Sequence, residues 1–192
     1  MSLVVVRHGR TEANAGRRLL GRLDLPLDEL GRAQALALGR AIGPVDRVVT
    51  SPLRRARETA ACLDAPATVD ERFVELDYGE YDGLPLSDVP AELWRQWRDD
   101  PDFAPPGGES LVALRRRVER GLAELVEPAS HETVVVVAHV SPIKAAVTWA
   151  LGVGDEVVWR LFVSPASITR ISITDGRPIL TSFNEVGHLD GL

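Results

Sequence analysis

Short apolar runs along this chain predict buried β-strands. The expected strands cover residues 3–6, 47–50, 133–138, 167–174 and 179–183. Runs that are apolar on both faces, such as the four consecutive valines of the third, are typical of a parallel sheet covered by helices. The last two runs are joined by Asp175-Gly176, a turn that favours a hairpin.

Apolar residues at helical spacing separate these strands. The predicted helices cover residues 29–42, 51–63, 91–98, 109–126 and 141–151. Ser51-Pro52 and Ser141-Pro142 each place a capping residue before a proline, which is typical of a helix start. Pro128 is expected to end the fourth helix.

Alternating strands and helices predict an α/β fold with a mostly parallel central sheet and helices on both faces. Residues 70–107 interrupt this alternation with an irregular stretch rich in Pro, Gly and Asp, which we interpret as a lid. A chain of 192 residues can bury a sizeable core, so residues 1–192 are expected to form a single domain.

Composition narrows the classes of partner. Hydrophobic residues make up 45% and charged residues 26%, which is typical of a soluble globular protein. The net charge of −6 argues against nucleic acid or an anionic membrane as the main partner. Cys62 is the one cysteine, and no segment has the length of a signal-peptide core or a membrane span. We therefore expect a cytoplasmic protein without a disulfide framework.

Candidate catalytic and phosphate-binding residues come directly after three predicted strands. Ligands of α/β sheets bind at these carboxyl ends of the strands. Arg7-His8-Gly9 follows the first strand, Ser51 and Arg55 follow the second, and His139 with Ser141 follows the valine-rich strand. Helices that start at the two serines would direct free N–H groups to the same edge, which favours a phosphate-sized anion. A structural role for each histidine is the plain alternative. At most one or two of Arg54, Arg55 and Arg57 can face the site, and Arg115 to Arg117 are expected at the surface.

These motifs resemble those of the histidine phosphatase superfamily, which includes cofactor-dependent phosphoglycerate mutases, along nearly the whole chain. The matching blocks are residues 7–14, 24–27, 31–35, 51–60, 75–79, 106–110, 133–139 and 184–189. The resemblance implies a phosphoglycerate mutase-like fold and metal-independent phosphoryl transfer without a cofactor.

Residue roles follow from the resemblance alone. His8 matches the nucleophile that becomes phosphorylated, with its other ring nitrogen bound to a backbone carbonyl. Arg7, Arg55 and His139 match the phosphoryl clamp, and Glu75 matches the proton donor. Further substrate contacts are expected from residues beside these: Asn14, Arg18, Val140 and Ser141.

Three positions depart from the family pattern. Arg10 stands where an acidic residue is usual, and it is expected to add positive potential at the pocket rim. Leu20 replaces a glutamine, so a polar contact to substrate is expected to be missing. Val140 replaces the glycine that commonly follows the second histidine.

Hydrolysis of a small phosphorylated metabolite at mildly acidic to neutral pH is the favoured activity. The segment of residues 60–75 is short, whereas mutases of the family usually carry longer insertions there, and this favours a phosphatase over a mutase. Mutase-type transfer and an inactive binding protein stay as alternatives, and a metal-dependent hydrolase is disfavoured because the histidines lack paired ligand spacing.

The leaving group and the assembly stay open at this stage. Trp94, Trp97 and Phe103 either line an apolar leaving-group pocket or cover the core. Lys144 and Arg18 are candidates to bind a second acidic group. A homo-oligomer is one of the open alternatives for assembly.

Overall fold

The computed structural model describes residues 2–192 and arranges them around a six-stranded sheet. The strands are β1 Ser2–Arg7, β2 Arg47–Thr50, β3 Ala67–Val69, β4 Thr133–Ala138, β5 Ile168–Thr174 and β6 Arg177–Glu185. Their order across the sheet is β3-β2-β4-β1-β5-β6. The first four in this order are parallel, whereas β5 runs antiparallel to β1 and β6 runs antiparallel to β5. The predicted α/β fold is confirmed, with a mixed sheet.

Helices cover both faces of the sheet, as the apolar runs predicted. The helices are α1 Glu12–Ala15, α2 Glu29–Ile42, α3 Arg54–Ala60, α4 Ala91–Asp99, α5 Leu111–Ala129 and α6 Val140–Leu151. Leu3 and Val5 of β1 pack in the core on the α5 and α6 side, while Val4 and Val6 pack on the α2 and α3 side. Each such fully buried side chain contributes about 1.5–3 kcal/mol to folding.

Two helix starts differ from the Ser-Pro prediction. α3 begins at Arg54 with Leu53 at the cap, while the Ser51 hydroxyl accepts from the Leu53 N–H at 3.3 Å and lies 2.7 Å from Nε2 of His139. α3 also ends at residue 60, three residues before the predicted end. α6 begins at Val140, so Ser141 lies inside its first turn.

The helix predicted over residues 109–126 is displaced toward the C-terminus. Ser110 caps it by accepting a hydrogen bond from the Ala113 N–H at 3.1 Å. The helix continues through Pro128 to Ala129. Proline is tolerated there because it removes a single helical hydrogen bond in the last turn.

Residues 70–107 contain the two short 3-10 helices Glu71–Phe73 and Gly79–Tyr81, followed by α4. Leu93 and Trp97 of α4 are buried in a separate apolar cluster with Leu19. The segment thus has its own small core, and its action as a lid stays a prediction. Strand β3 escaped prediction because its residues are exposed and carry no apolar pattern.

Candidate active site

The carboxyl ends of β1, β4 and β2 bring the chemically active side chains together. Arg7 pairs in register with Ala138, and Thr50 pairs with Val137, so the residues that follow these strands lie side by side. The ring centroids of His8 and His139 are 5.0 Å apart. The parallel pairing of three strands separated in sequence therefore builds one site at a single sheet edge.

His8 is held as a neutral imidazole with a defined tautomer. Its Nδ1 lies 2.7 Å from the carbonyl oxygen of Gly9, so Nδ1 carries the proton and donates it. Nε2 accepts a hydrogen bond from Nε of Arg55 at 3.2 Å, and its lone pair therefore faces the site. Burial and the charges of Arg55 and Arg7 hold the pKa of His8 well below its usual value. This arrangement supplies a nucleophilic nitrogen at neutral pH.

Gly9 allows a close approach to the backbone of α2. A Cβ at Gly9 would lie 2.3 Å from the carbonyl oxygen of Gly31, and a Cβ at Gly31 would lie 1.9 Å from that of Arg10. The Gly9 N–H donates to Oγ1 of Thr59 at 3.0 Å, and this hydroxyl donates to the Arg55 carbonyl at 2.8 Å. Thr59 thus connects the segments that carry His8 and Arg55.

Arg55 is fully buried, and its guanidinium is fixed from three directions. Besides the contact with His8, it donates to the carbonyl oxygens of Leu23 and Gly21, each at 2.7 Å. The Asp82 carboxylate in turn accepts hydrogen bonds from the N–H groups of Gly21, Arg22 and Leu23 at 2.7 to 2.9 Å. Asp82 therefore holds the loop at residues 21–23 in place, and the carbonyl oxygens of this loop orient Arg55.

Arg7 and His139 contribute donors that lack a protein partner. Arg7 donates from Nη1 to the Val163 carbonyl at 2.7 Å, and Nε2 of His139 lies 2.7 Å from Oγ of Ser51. Within residues 2–192, buried Nε of Arg7 and Nδ1 of His139 have no hydrogen-bond partner. Burial lowers the pKa of Arg7 to about 10, so it stays charged at neutral pH, and burial holds the pKa of His139 well below its usual value. An anion with several oxygens would satisfy both atoms.

Glu75 occupies the helix N-terminus that we expected to bind a phosphate. Its buried carboxylate accepts from the Leu76 N–H at 2.8 Å and from the Ser141 N–H at 3.1 Å. The prediction that both serine-led helices present free N–H groups to the ligand is therefore wrong for α6. Arg117 donates to the Glu75 carbonyl at 3.2 Å and holds this segment.

The prediction that Arg115 to Arg117 lie at the surface is wrong for Arg117. Its side chain is 12% exposed, forms an ion pair with Glu109 at 2.7 Å and donates to the Arg72 carbonyl. Arg116 is exposed, as predicted.

The remaining predicted substrate contacts lie around this centre. The Asn14 side-chain oxygen is used in a capping box with Thr11, whose N–H donates to it at 3.1 Å. Arg18 is exposed and donates to the Gly83 carbonyl at 2.9 Å. Val140 is half-buried at the start of α6 and lines a cavity next to Glu75. Their contacts with a substrate stay predictions.

Two departures from the family pattern have local explanations. Arg10 is paired with Asp28 at 2.7 Å, so its positive charge is neutralised at the rim. Leu20 is buried at 8% exposure and belongs to the packing, not to a polar contact surface.

The model of the histidine phosphatase superfamily (branch 1) matches residues 3–186 of this chain. The chain belongs to this superfamily. Bifunctional protein Rv2228c of Mycobacterium tuberculosis is 36% identical over 198 residues, which cover 97% of this chain and 54% of that protein. The chain thus spans about half the length of the first curated relatives it matches.

Other superfamily members match over nearly their whole length. Phosphoserine phosphatase 1 of Hydrogenobacter thermophilus is 31% identical and is covered to 94%, as is 98% of this chain. A mutant phosphoserine phosphatase of Entamoeba histolytica, solved in complex with phosphoserine, superposes with a TM-score of 0.91 at 26% identity, covering 98% of both chains.

No group of three or more His, Cys, Asp or Glu side chains within residues 2–192 is arranged to hold a metal ion. Across the same residues, every helix falls short of the length and apolar character needed to cross a membrane.

Sequence reasoning missed three supporting residues of the site: Thr59, Asp82 and Arg117. Thr59 lies in a matching block, and its position one helical turn after Arg55 signals a contact with that segment. Asp82 and Arg117 act on backbone groups distant in sequence, and no local pattern indicates such contacts.

Proposed function

We propose that this chain is a phosphomonoesterase that hydrolyses a small phosphorylated metabolite through a phosphohistidine at His8. The observation that carries the proposal is a neutral His8 whose unprotonated Nε2 faces the site beside Arg7, Arg55 and His139. Superfamily members that are similar in sequence are named as phosphatases of phosphoserine and of glucosyl-3-phosphoglycerate. Both compounds are small phosphorylated metabolites.

In the first step, Nε2 of His8 attacks phosphorus and the bond to the ester oxygen breaks. Arg7, Arg55 and neutral His139 bind the phosphoryl oxygens, and the two arginine cations stabilise the charge of the transition state without a metal. Glu75, protonated at this stage, transfers its proton to the departing oxygen. The products are the alcohol and phosphohistidine.

In the second step, a water molecule attacks the phosphorus of phosphohistidine and the N–P bond breaks. Glu75, now a carboxylate, accepts the proton of the water. Phosphate leaves, and His8 returns to its neutral form. Glu75 lies close enough to Arg7 and Arg55 to influence the pKa of each, which is consistent with a shared site.

The first experiment measures release of inorganic phosphate from a panel of phosphomonoesters in the presence of a chelator. We expect release by the native chain, loss of release by His8→Asn and normal release by His131→Asn, since His131 is exposed. Mass spectrometry of the quenched native enzyme should show one added phosphoryl group at His8. Release by His8→Asn at the native rate would refute the proposed nucleophile.

The second experiment tests Glu75 through the leaving group. Glu75→Gln should lower hydrolysis of an alkyl phosphate by about 10²- to 10⁴-fold, because an alkoxide needs a proton as it departs. 4-Nitrophenyl phosphate releases a stable phenolate, so its release in a first burst should be much less affected. An equal loss for both substrates would contradict a proton-donor role.

A further inference from the structure

A cavity of about 190 Å³ lies on the Glu75 side of the site, between α4, α5, α6 and a 3-10 helix at Asp155–Arg160. Leu76 and Ser141 line it, and both donate backbone hydrogen bonds to the Glu75 carboxylate. His8 lies outside its wall. Because the proton donor faces the departing oxygen, a cavity on its side would receive the leaving group.

The wall of the cavity is mainly apolar, and three tryptophans contribute to it. Trp94, Trp97 and Trp159 line it, and the Trp94 ring is tilted against Trp97 at 5.5 Å and perpendicular to Trp159 at 6.4 Å. An engineered cavity of about 150 Å³ in another protein binds benzene, so this volume suffices for one six-membered ring. Flat apolar groups also gain from edge and face contacts with such rings.

Lys144 and Trp97 supply hydrogen-bond donors to this wall. Within residues 2–192, Lys144 forms no ion pair, and the indole Nε1 of buried Trp97 has no hydrogen-bond partner. Asp155, which also lines the cavity, is already paired with Arg115 at 3.1 Å. Lys144 is the only lysine of the sequence, whereas arginine supplies the other 21 of its 22 basic residues. The cavity thus combines an apolar wall with an ammonium group that has no ion-pair partner among residues 2–192, while burial lowers its pKa and the nearby Glu75 carboxylate acts to raise it.

We propose that the leaving group is an alcohol that carries a flat apolar ring with a carboxylate, the ring packing against Trp94 and Trp159 and the carboxylate pairing with Lys144. This inference rests on the proposed function and specifies its substrate class. The half-buried ammonium group of Lys144 has no ion-pair partner among residues 2–192, and a carboxylate would accept a charge-assisted hydrogen bond from it.

The kinetic test compares ethyl phosphate, benzyl phosphate and 4-(phosphonooxymethyl)benzoate, whose alcohols have similar intrinsic reactivity. We expect kcat/KM for benzyl phosphate to exceed that for ethyl phosphate by about 10- to 100-fold, from burial of the ring. The carboxylate should add about 5- to 10-fold. Equal values for the three substrates would overturn the proposal.

Two variants distinguish the contribution of the ring to substrate preference from that of the carboxylate. Lys144→Met should reduce the ratio of the carboxylated to the plain benzyl substrate to about one, and Trp159→Leu should reduce the benzyl-to-ethyl ratio by about 10-fold. Trp149→Leu is the matched control, since Trp149 is also half-buried but lies outside this cavity. Ratios that stay at native values in Lys144→Met and Trp159→Leu would also overturn the proposal.

A binding measurement on the native chain does not depend on catalysis. Reductive methylation with ¹³C-formaldehyde gives a single dimethyl-lysine signal, because Lys144 is the only lysine. The product analogue 4-(hydroxymethyl)benzoate should shift this signal, whereas acetate at the same concentration should not. A shift without phosphate release from any ester would support the cavity assignment and refute the phosphatase, whereas release without a shift would refute the cavity assignment alone.

Discussion

The two buried histidines should make folding stability strongly dependent on pH. His8 is 2% exposed and His139 is fully buried, and in both the pKa lies well below the usual value because burial and the nearby arginines disfavour the imidazolium. The unfolded chain binds protons on both residues below about pH 6.5, while the native state does not. The stability that the two neutral histidines contribute should therefore be fully present above this pH and should be lost as the pH decreases through it.

The size of the effect follows from proton linkage. Each histidine that is protonated only in the unfolded state removes a little over 1 kcal/mol of stability between about pH 7.5 and about pH 5.5. The two together should remove about 3 kcal/mol across this window. For a chain of this length, such a loss corresponds to a Tm decrease of about 6–12 °C.

Urea unfolding at the two pH values, followed by tryptophan fluorescence, measures this difference directly. His8→Asn and His139→Asn should each reduce the pH-dependent difference by about half. His131→Asn is the control, because His131 is exposed and should leave the difference at its native value. The comparison uses the change with pH within each variant, so a uniform loss of stability does not affect it.

Three results would contradict this reasoning. Equal native stability at both pH values would mean that the buried imidazoles take up protons as readily as they do in the unfolded chain. An unchanged pH difference in the double variant of His8 and His139 would assign the effect to other groups. A reduced difference in His131→Asn would place it at the surface.

Further predictions concern residues that support the site. Thr59→Val should lower unfolding free energy by about 1–3 kcal/mol and lower kcat, because the Gly9 N–H loses its acceptor, whereas Thr59→Ser should stay near native in urea titration and in turnover. Gly31→Ala should cost about 1–3 kcal/mol through its clash with the backbone, and calorimetry should show Gly187→Ala, which has open space, within about 0.5 kcal/mol of native. Arg117→Met should cost about 2 kcal/mol and reduce turnover by freeing the segment of Glu75, whereas exposed Arg116→Met should do neither in the same two assays.

Much of the fold could be predicted because its signals are local. The valine runs, the helical spacing of residues 29–42 and the turn at Asp175-Gly176 each depend on neighbouring residues, and the structure contains all of them. β3 was missed because its exposed residues carry no apolar pattern. The Ser-Pro starts failed at Ser51, whose hydroxyl is used by a histidine 88 positions away.

The residues of the site also fall into those that local sequence signals predict and those that they do not. His8, Arg55 and His139 stand at predicted strand ends, so their proximity followed from the α/β topology. The roles of Asp82 and Arg117 depend on backbone groups brought near only by the finished fold, and so no spacing in the sequence indicates them. That Glu75 occupies the N-terminus of α6 was hidden for the same reason.

The two sides of the site come from separate parts of the fold, and this separation has a chemical consequence. The phosphoryl side is built at the rigid, buried ends of β1, β2 and β4, where a misplacement of His8 or Arg55 would affect every substrate equally. The proposed leaving-group cavity is lined by α4, α5, α6 and the 3-10 helix at Asp155–Arg160, and of these neither α4 nor the 3-10 helix supplies a phosphoryl contact. Substitutions at Trp94 or Trp159 should therefore change which ester is hydrolysed while the chemistry at phosphorus stays the same. Substrate preference can therefore change through substitutions in the cavity while His8 and its contacts stay the same.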